Sequence, residues 1–383
     1  ILLRTGIRYS EEVPKNARLF IVETRPNKSA EISPEKLSPI VRLRAPSRPL
    51  DWPRVARALD WDPLCLSSPS LVRQARAIAA YMDVEKPDCV LPSLSRPNIA
   101  TLLACRFLTE APPIIPTIRN FVQYHRYRTK RRYRHLAGDA AHFVGVSQGI
   151  SDGLTATIGV PRESITTIYN PVVTPHLHVK MAERPDHPWL LDGNAPVILA
   201  AGRLAAQKDY PTLIKAFARL NAQRPCRLII LGEGRMRKAL ERLVKGLDLT
   251  DHVSLPGWVE NPFAFMYRAS LFVLSSRFEG LPGVLVQALA CGCPCVSTNC
   301  PAGPAEILQD GKFGPLVPVG DEKSLATAMY RVLAQPPERH MLQQRAGYFS
   351  LERSVTAYEK LISGFAQLPE TQVAESKSIN PEL

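Results

Sequence analysis

The chain has 383 residues with 45% hydrophobic and 22% charged side chains and a mean hydropathy of -0.08, values that exclude wholesale disorder, collagen-like repeats and a membrane-spanning bundle. The length favours two domains or one large α/β unit. Basic residues exceed acidic ones by 13, and residues 1–169 hold 25 basic against 15 acidic residues, so the charge is concentrated and an anionic partner is expected.

The chain begins with Ile1, and its first residues lack the basic flank, apolar run and small-residue cleavage site of a secretory signal. We therefore expect a truncated start. Eight cysteines without the even spacing of a small secreted scaffold favour a reducing compartment. The expected location is the cytoplasm.

In the first half of the chain, short apolar runs rich in β-branched residues alternate with longer stretches of helical period, which predicts parallel strands joined by crossover helices. Strands are predicted over residues 18–22, 88–91, 114–118, 142–146 and 165–168. Helices are predicted over residues 70–84, 96–108 and 148–158.

The second half repeats this order after residues 170–196, which are rich in Pro, His and charge and show no clear period. Strands are predicted over residues 197–200, 227–231, 253–255, 271–274 and 295–297. The helices between them are expected to begin near Tyr210, Met236, Pro262 and Val284. A further helix is predicted over residues 351–365, before a polar tail without aromatic residues.

These elements predict an α/β protein with two doubly wound, Rossmann-like domains that face an interdomain cleft. The predicted parts are a first domain over residues 1–175, a linker over 176–195, a second domain over 196–345, a C-terminal helix within 346–366 that returns to the first domain, and a disordered tail over 367–383.

The most specific motif lies in residues 275–308, where a strand-like run, LFVLS, leads through a turn into a short apolar helix. The turn contains Glu279, Gly280, Leu281, Pro282 and Gly283. Its backbone amides would lie at the start of the helix, where an anion is favoured. The Glu279 carboxylate is well placed to accept hydrogen bonds from sugar hydroxyls. Taken alone, such a carboxylate is more often a cap that stabilises the turn.

A second motif, residues 199–220, places two cations after a predicted strand. Arg203 follows Gly202 directly, and Lys208 comes five positions later, before a helix. Both would lie at the carboxyl edge of the sheet, where open α/β folds bind ligands. Beside a diphosphate they would neutralise the charge that grows as the phosphate leaves. As isolated side chains they would be ordinary solvated cations, so the prediction depends on combination with Glu279.

A third motif places Gly232 and Gly234 between a strand and a helix. The third glycine of a dinucleotide-binding fingerprint is absent, since Arg237 stands at its position. The motif is therefore weak evidence for a phosphate loop and fits a tight turn near a nucleotide.

Together, these motifs make residues 196–333 resemble the nucleotide-sugar-binding domain of the retaining glycosyltransferases of family 4, also called glycosyl transferases group 1, which have the GT-B fold. Residues 146–172 likewise resemble the segment that ends the family's first domain. The resemblance implies that Arg203 and Lys208 bind the donor diphosphate and that Glu279 holds the donor sugar. It places Gln287 at the position of a second glutamate, which contacts the ribose.

The resemblance also implies the reaction: front-face substitution with retention, in which the departing phosphate helps to deprotonate the acceptor. The first domain would bind the acceptor, a growing glycan that is lipid-linked or part of a surface polysaccharide. The donor would be a nucleotide-sugar, and NCPAGPAEIL is like segments of members that use UDP-sugars. No cofactor and no catalytic metal are implied.

The chain departs from the family at three places. It is expected to start downstream of the family's first strand and glycine-rich loop. Arg119 precedes Asn120 in the first-domain part of the cleft, where the family commonly has His, and an arginine cannot act as a general base. Gln287 keeps an acceptor but lacks the charge of Glu, which would weaken or alter ribose binding.

Two other motifs are interpreted as chance or packing. Asp60 and Asp62 resemble a metal-binding DxD, but they follow a helical stretch rather than a buried strand. A group of cysteines lacks a nearby His or a CxxC pair, so these residues are predicted to be small buried hydrophobes rather than zinc ligands. The group consists of Cys291, Cys293, Cys295 and Cys300.

An arginine-rich segment follows Arg119, and residues 111–138 contain no acidic residue. Its cations are Arg126, Arg128, Lys130, Arg131, Arg132 and Arg134. On a helical wheel they spread all round, so the segment is not a clean amphipathic membrane helix. We expect it to contact anionic lipid headgroups or a lipid-diphosphate acceptor beside the cleft, at the cytoplasmic face of a membrane; a solvated basic helix is the alternative.

Three other functions stay open. A nicotinamide-dependent oxidoreductase would need a complete glycine fingerprint. A nucleic-acid binder would need a recognised RNA or DNA module beside the basic helix, so no nucleic-acid partner is expected. A glycosyltransferase-like protein with lost or weakened activity is consistent with Arg119, Gln287 and the expected truncated start.

Overall fold

The structure, a computed structural model, describes residues 68–120, 123, 127–191, 193 and 195–365, together with the backbone of residues 20–21 and 41–42. Phe20–Ile21 (β1) and Val41–Arg42 (β2) pair in parallel, and β1 falls within the predicted strand 18–22. Several predictions concern parts of the chain outside the described residues: the start of the chain, the Asp60–Asp62 motif, Arg126 and the tail over residues 367–383.

The first domain has a three-stranded parallel sheet in the order β3-β4-β5. Its strands are Thr117–Ile118 (β3), Phe143–Gly145 (β4) and Ile165–Thr167 (β5). Its helices are Pro69–Glu85 (α1), Ser95–Cys105 (α2), Tyr127–Leu136 (α3) and Gln148–Ile158 (α4). Helix α4 has the predicted bounds.

Prolines shorten two of the predicted strands of this domain. Residues 88–91 form only an isolated bridge, between Val90 and Ile114, and the predicted strand 114–118 is reduced to β3. Pro116 lies within the second segment, Pro92 and Pro113 directly flank the two segments, and proline cannot donate to a ladder. The pairing nevertheless continues through single bonds, such as that from the Ile115 amide to the Val90 carbonyl at 2.8 Å.

The second domain has a six-stranded parallel sheet in the order β11-β10-β9-β6-β7-β8, a doubly wound order that reverses between β6 and β9. Its strands are Val197–Ala201 (β6), Arg227–Leu231 (β7), Val253–Gly257 (β8), Leu271–Leu274 (β9), Cys295–Thr298 (β10) and Leu316–Val317 (β11). Because both faces are covered by helices, β6 and β9 are buried along their whole length, which explains their unbroken apolar runs.

The helices after residue 170 cover this sheet and connect the domains. They are Pro175–Met181 (α5), Tyr210–Asn221 (α6), Arg237–Gly246 (α7), Pro262–Arg268 (α8), Gly283–Ala290 (α9), Pro304–Leu308 (α10), Glu322–Ala334 (α11), Arg339–Ala346 (α12) and Leu351–Ser363 (α13). Helix α5 lies within the segment read as having no clear period.

Helix α13 lies against the sheet of the first domain. Ala357, Tyr358, Leu361 and Phe365 pack on the buried residues Ile115, Val144 and Ile168. The chain passes from the first domain to the second after residue 173 and returns after residue 349, and these two crossings lie side by side. The backbone amides of Val172 and Val173 donate to the carbonyl of Phe349 at 3.0 and 3.1 Å. One apolar cluster runs through both domains and includes Leu102, Ile150, Leu281 and Phe349.

The four clustered cysteines are buried in the second domain, as predicted: Cys291, Cys293 and Cys295 are 0% exposed and Cys300 is 3% exposed. All four are free thiols. Burial raises the pKa of Cys291 to about 12 and that of Cys295 well above its usual value. Within the described part of the chain, no helix is both long and apolar enough to cross a bilayer.

Candidate donor and acceptor sites

The two strands at the reversal of the second sheet carry the predicted donor residues. Lys208 ends the loop after β6, and Glu279 lies in the loop after β9. Because β6 and β9 are parallel neighbours, their carboxyl ends open into one crevice. This is the position at which doubly wound sheets bind ligands.

Lys208 and Glu279 form an ion pair in this crevice. The Lys208 Nζ lies 2.6 Å from Glu279 Oε1, and the Ser276 hydroxyl donates to the same oxygen at 2.6 Å. The side chains are only 16% and 9% exposed. The Glu279 Oε2 accepts no hydrogen bond from the described residues, so one carboxylate oxygen and two Lys208 protons are available to a ligand.

Hydrogen bonds between the two loops hold this pair in place. The Ser275 hydroxyl donates to the Lys208 backbone carbonyl at 2.7 Å, and the side-chain amide of Gln207 donates to the Phe278 backbone carbonyl at 2.9 Å. The Arg277 guanidinium donates to Asp209 at 3.2 Å. The loops therefore form one unit, and the two charges keep their spacing without a ligand.

Neither Arg203 nor Gln287 is hydrogen-bonded to this ion pair in the described part of the chain. Arg203 is exposed at the end of β6, and its side chain makes no hydrogen bond or ion pair to a described residue. Gln287 is half-buried on α9, one turn after Gly283. Helix α9 begins without a side-chain cap, so its first amides are open to an acceptor.

Glycines stand at the ends of three strands at the edge of the sheet beside Lys208. Gly202, Gly232 and Gly257 end β6, β7 and β8 or follow them directly, and all have positive φ. At Gly232 (φ 124°) an added Cβ would collide with the Gly202 carbonyl oxygen, so only glycine fits there. Trp258 follows Gly257 directly and is 72% exposed.

Sequence reasoning missed two aromatic residues of this region, Trp258 and Tyr210. Tyr210 is buried, and its hydroxyl has no hydrogen-bond partner among the described residues. Burial and the Glu279 charge raise the Tyr210 pKa, so the phenol stays protonated. An aromatic residue directly after a glycine-ended strand, as in PGW, is the signal that points to Trp258.

The loop after β9, residues 275–282, is here called the donor loop. The first domain contacts it backbone to backbone. At Gly280 an added Cβ would collide with the Arg119 carbonyl oxygen, so Arg119 and Asn120 lie directly over the donor loop. The Arg119 guanidinium donates to Asn170 Oδ1 at 3.0 Å, which holds it against the segment between the domains. The structure thus brings Arg119, Asn120 and Gly280 together.

The arginine-rich segment forms α3. Tyr133 and Leu136 bury one side of the helix, while Arg128, Arg131 and Arg134 are exposed. The other two cations of the helix, Lys130 and Arg132, are half-buried. Arg134 donates to the Thr157 carbonyl at 2.8 Å, which ties α3 to α4.

The exposed start of α3 borders a cavity. Tyr127, Arg128, Thr129 and Arg132 line this cavity of about 540 Å³. Of the described residues, two arginines and one aromatic residue contribute to its wall.

Comparisons with known proteins agree with this geometry. A family model described as Glycosyl transferases group 1 matches residues 183–347, and one described as Glycosyltransferase Family 4 matches residues 36–175. The chain belongs to the group 1 glycosyltransferases. Solved structures show that this glycosyltransferase has the predicted GT-B fold. The lipopolysaccharide outer core galactosyltransferase WaaB superposes with a TM-score of 0.67 at 18% identity, covering 90% of this chain and 89% of that one.

Two more proteins similar to this glycosyltransferase are informative. Anabaena Alr3699/HepE, solved in complex with UDP and glucose, has a TM-score of 0.64 at 19% identity and covers 75% of this chain and 81% of its own. The Campylobacter jejuni N-acetylgalactosamine-N,N'-diacetylbacillosaminyl-diphospho-undecaprenol 4-alpha-N-acetylgalactosaminyltransferase is 37% identical over 149 residues, which are 39% of this chain and 40% of that protein. The chain spans half or less of the length of the first curated relatives it matches.

Proposed function

We propose that this glycosyltransferase moves a sugar from a nucleotide-sugar, of the UDP-sugar class, to a lipid-linked or surface-polysaccharide acceptor with retention of configuration. The observation that carries the proposal is the buried Lys208–Glu279 pair at the strand reversal of the second domain. A cation for phosphate and a carboxylate for sugar hydroxyls lie side by side there. The UDP class is supported by HepE, which was solved with UDP and glucose.

In this proposal each donor residue acts on a different part of the nucleotide-sugar. Arg203 and Lys208 bind the diphosphate and stabilise the charge of the departing phosphate. Glu279 accepts hydrogen bonds from the sugar hydroxyls through its open oxygen. The amides at the turn 280–283 face the phosphate, and Gln287 contacts the ribose. Because the two cations supply the neutralising charge, the reaction requires no catalytic metal.

Retention is supported by the groups that face the donor across the cleft. Arg119 and Asn120 lie over Gly280, and neither side chain accepts a proton at neutral pH. Deprotonation of the acceptor hydroxyl is therefore assigned to the departing phosphate on the same face of the sugar. The enzyme contributes position and charge stabilisation.

The acceptor is assigned to the first domain, beside α3. Its exposed arginines and the cavity at Tyr127 and Arg128 match a diphosphate or a lipid headgroup in charge. The relative from Campylobacter jejuni is named for a diphospho-undecaprenol acceptor, which supports the lipid-linked class. We propose peripheral association with the cytoplasmic face of a membrane.

Turnover with UDP-hexoses tests the proposed reaction. Release of UDP, with and without undecaprenyl-diphosphate glycans, is measured for the wild type and for Lys208→Ala and Glu279→Ala. We expect each substitution to lower kcat by about 10²–10³-fold, the size typical of a lost preorganised charge contact. Lys215→Ala, at an exposed lysine of α6, is the control and should keep full activity. Undiminished turnover in Lys208→Ala would contradict the proposal.

Arg119 and Gln287 favour one alternative, a glycosyltransferase-like protein that has lost its activity. It predicts that UDP raises the melting temperature, because a ligand that binds only the native state stabilises it, while no UDP-sugar is consumed. Consumption of any UDP-sugar by the wild type, lost in Glu279→Ala, excludes this alternative.

Sedimentation with liposomes tests the membrane contact. We expect binding to vesicles that contain anionic lipid and loss of that binding when Arg128 and Arg131 are both changed to Glu. The control changes Lys238 and Lys245, exposed on α7 of the second domain, to Glu. Equal binding of the wild type to neutral and anionic vesicles would refute the membrane contact.

A further inference from the structure

A carboxylate of the second domain reaches the first domain across the cleft. Glu306, on α10, accepts hydrogen bonds from the backbone amides of Gln148 at 2.6 Å and Gly149 at 2.9 Å. The Tyr169 hydroxyl donates to the same carboxylate at 3.0 Å. One side chain thus receives three donors from the opposite domain, and we refer to this arrangement as the Glu306 contact.

The amides in the Glu306 contact belong to the first turn of α4. Such amides have no partner within their own helix, and the positive end of the helix dipole favours an anion. Ser147 caps only the Ile150 amide, at 3.2 Å. The Gln148 and Gly149 amides therefore take their acceptor from the other domain. Hydrogen bonds to an ionised acceptor are about twice as strong as neutral ones.

Arg345 holds the backbone at Glu306 within the second domain. Arg345 donates to the Glu306 carbonyl at 2.5 Å and to the Ile307 carbonyl at 2.9 Å. The guanidinium itself lies over the rings of Tyr348 and Phe349, 5.0 and 5.1 Å from their centroids. The backbone that carries Glu306 is thus held within the second domain, and the carboxylate itself is ordered by its three donors in the first domain.

The segment that leads to Glu306 packs on the donor loop. The Glu279 amide donates to the Pro301 carbonyl at 3.3 Å. A Cβ added at Gly303 would lie 3.0 Å from the Gly280 carbonyl oxygen, and one added at Gly149 would lie 2.9 Å from Ala302 Cα. Helix α4, residues 301–303 and the donor loop are therefore in continuous contact.

We propose that Glu306 is a positioning residue for sugar transfer, which holds the first domain in register over the donor loop through the first turn of α4. This inference rests on the proposed function. When the contact is broken, the two domains lose the arrangement in which Arg119 and Asn120 lie over Gly280, and an acceptor on the first domain no longer meets the donor sugar at a fixed distance.

The substitution Glu306→Gln tests the contact directly. The amide keeps one acceptor oxygen but turns its NH₂ group toward a second donor. We expect hydrogen exchange at the Gly149 amide, followed by mass spectrometry on peptides spanning residues 146–153, to become about tenfold or more faster. In kinetics, kcat for transfer should fall about tenfold while the Kd for UDP changes less than twofold, because the donor contacts are in the second domain.

A proline substitution in the first turn of α4, on the first-domain side of the Glu306 contact, gives an independent variant. Gln148 is the first residue of α4, where proline is favoured, so Gln148→Pro removes one donor to Glu306 and leaves the helix intact. Gln148→Ala is the matched control, since it keeps the amide and removes the same side chain. Glu338→Gln, at a carboxylate that is 74% exposed, controls for loss of charge on the second domain. Only Glu306→Gln and Gln148→Pro should raise exchange at Gly149.

The outcomes separate this inference from the proposed function. Exchange at Gly149 that stays within twofold of the wild type in both variants would overturn the contact, whatever the activity. Faster exchange with unchanged kcat would overturn the positioning role. A wild type without any transfer would refute the proposed function, while the exchange measurement would still decide the contact. If Glu306→Gln lowers the melting temperature, Tyr169→Phe, which keeps the charge, replaces it in the same assay, with an expected rise in exchange of about threefold.

Discussion

The Lys208–Glu279 pair gives each charge a partner before any donor arrives. A buried charge without a partner is costly, and here the cation and the carboxylate satisfy each other at 2.6 Å. Removing one member leaves the other uncompensated. Substitutions at this pair are therefore expected to lower stability as well as turnover, which is why UDP binding and melting temperature belong in the same experiment.

Trp258 provides a residue-scale prediction for the donor. Its exposed indole at the end of the glycine-lined edge matches a flat nucleobase, and stacking of a base on an aromatic ring contributes about 1–3 kcal/mol. Trp258→Ala should raise the Kd for UDP about tenfold or more, measured by calorimetry, with little change in melting temperature because the side chain is exposed. Tyr330→Ala, at an exposed aromatic residue of α11, is the control. An unchanged Kd would contradict a role for Trp258 in binding.

Gln287 provides a second prediction at this scale. Gln287→Glu restores the family's charge at the ribose position, and an ionised acceptor binds hydroxyls more strongly than an amide. The Kd for UDP should fall about threefold to tenfold. Gln335→Glu, at an exposed glutamine after α11, tests whether added negative charge alone has an effect. Weaker UDP binding in Gln287→Glu would show that this site has adapted to the amide.

At the scale of elements, the donor loop and the first domain approach too closely for any side chain between them. Gly280→Ala places a Cβ against the Arg119 carbonyl and should cost about 1–3 kcal/mol in the free energy of unfolding, as overpacking does. Gly283→Ala is the matched stability control, because the nearest atom to its Cβ is 3.8 Å away and the position starts a helix. Chemical denaturation of both variants measures the difference. Equal stability of the two would contradict the close approach.

Helices and buried strands could be predicted because their periodicity survives in one sequence. Helix α4 and strands β7 and β9 have the bounds that the apolar pattern predicts. The prediction of a strand over residues 88–91 was wrong, because these residues form only one bridge. Their apolar run is typical of a strand, but the prolines that limit the pairing lie partly in the partner segment, which the local pattern does not show. Helix α5 was missed because it is short and begins at Pro175.

The position of Lys208 and Glu279 at the carboxyl ends of two strands could be predicted, because each follows a strand-like apolar run; their role in donor binding stays a prediction. Their direct contact could not be predicted, since it depends on the adjacency of β6 and β9, which are separated by two other strands in the chain. Trp258 and Glu306 were missed for the same reason. Nothing in the local pattern of a single Trp or Glu shows which distant backbone it faces.

At the scale of the whole molecule, α13 follows the second domain in the sequence but packs on the sheet of the first domain. Leu361 packs on the sheet residues Ile115 and Val144. Leu361→Ala should cost about 1–2 kcal/mol, less than a fully buried leucine because this one is half-buried. Differential scanning calorimetry measures the shift, with Glu359→Ala, exposed on the same helix, as the control. A melting temperature unchanged by Leu361→Ala would mean that α13 adds nothing to the first domain.

The buried cysteines allow the opening of each domain to be measured by thiol labelling. Alkylating reagents attack the thiolate, and burial disfavours that form at Cys291, Cys293 and Cys295. These thiols lie in the second domain, whereas the half-buried Cys89 and Cys105 lie in the first. Labelling rates at the two groups, read peptide by peptide, would therefore time the opening of each domain separately, and a bound nucleotide should slow only the second.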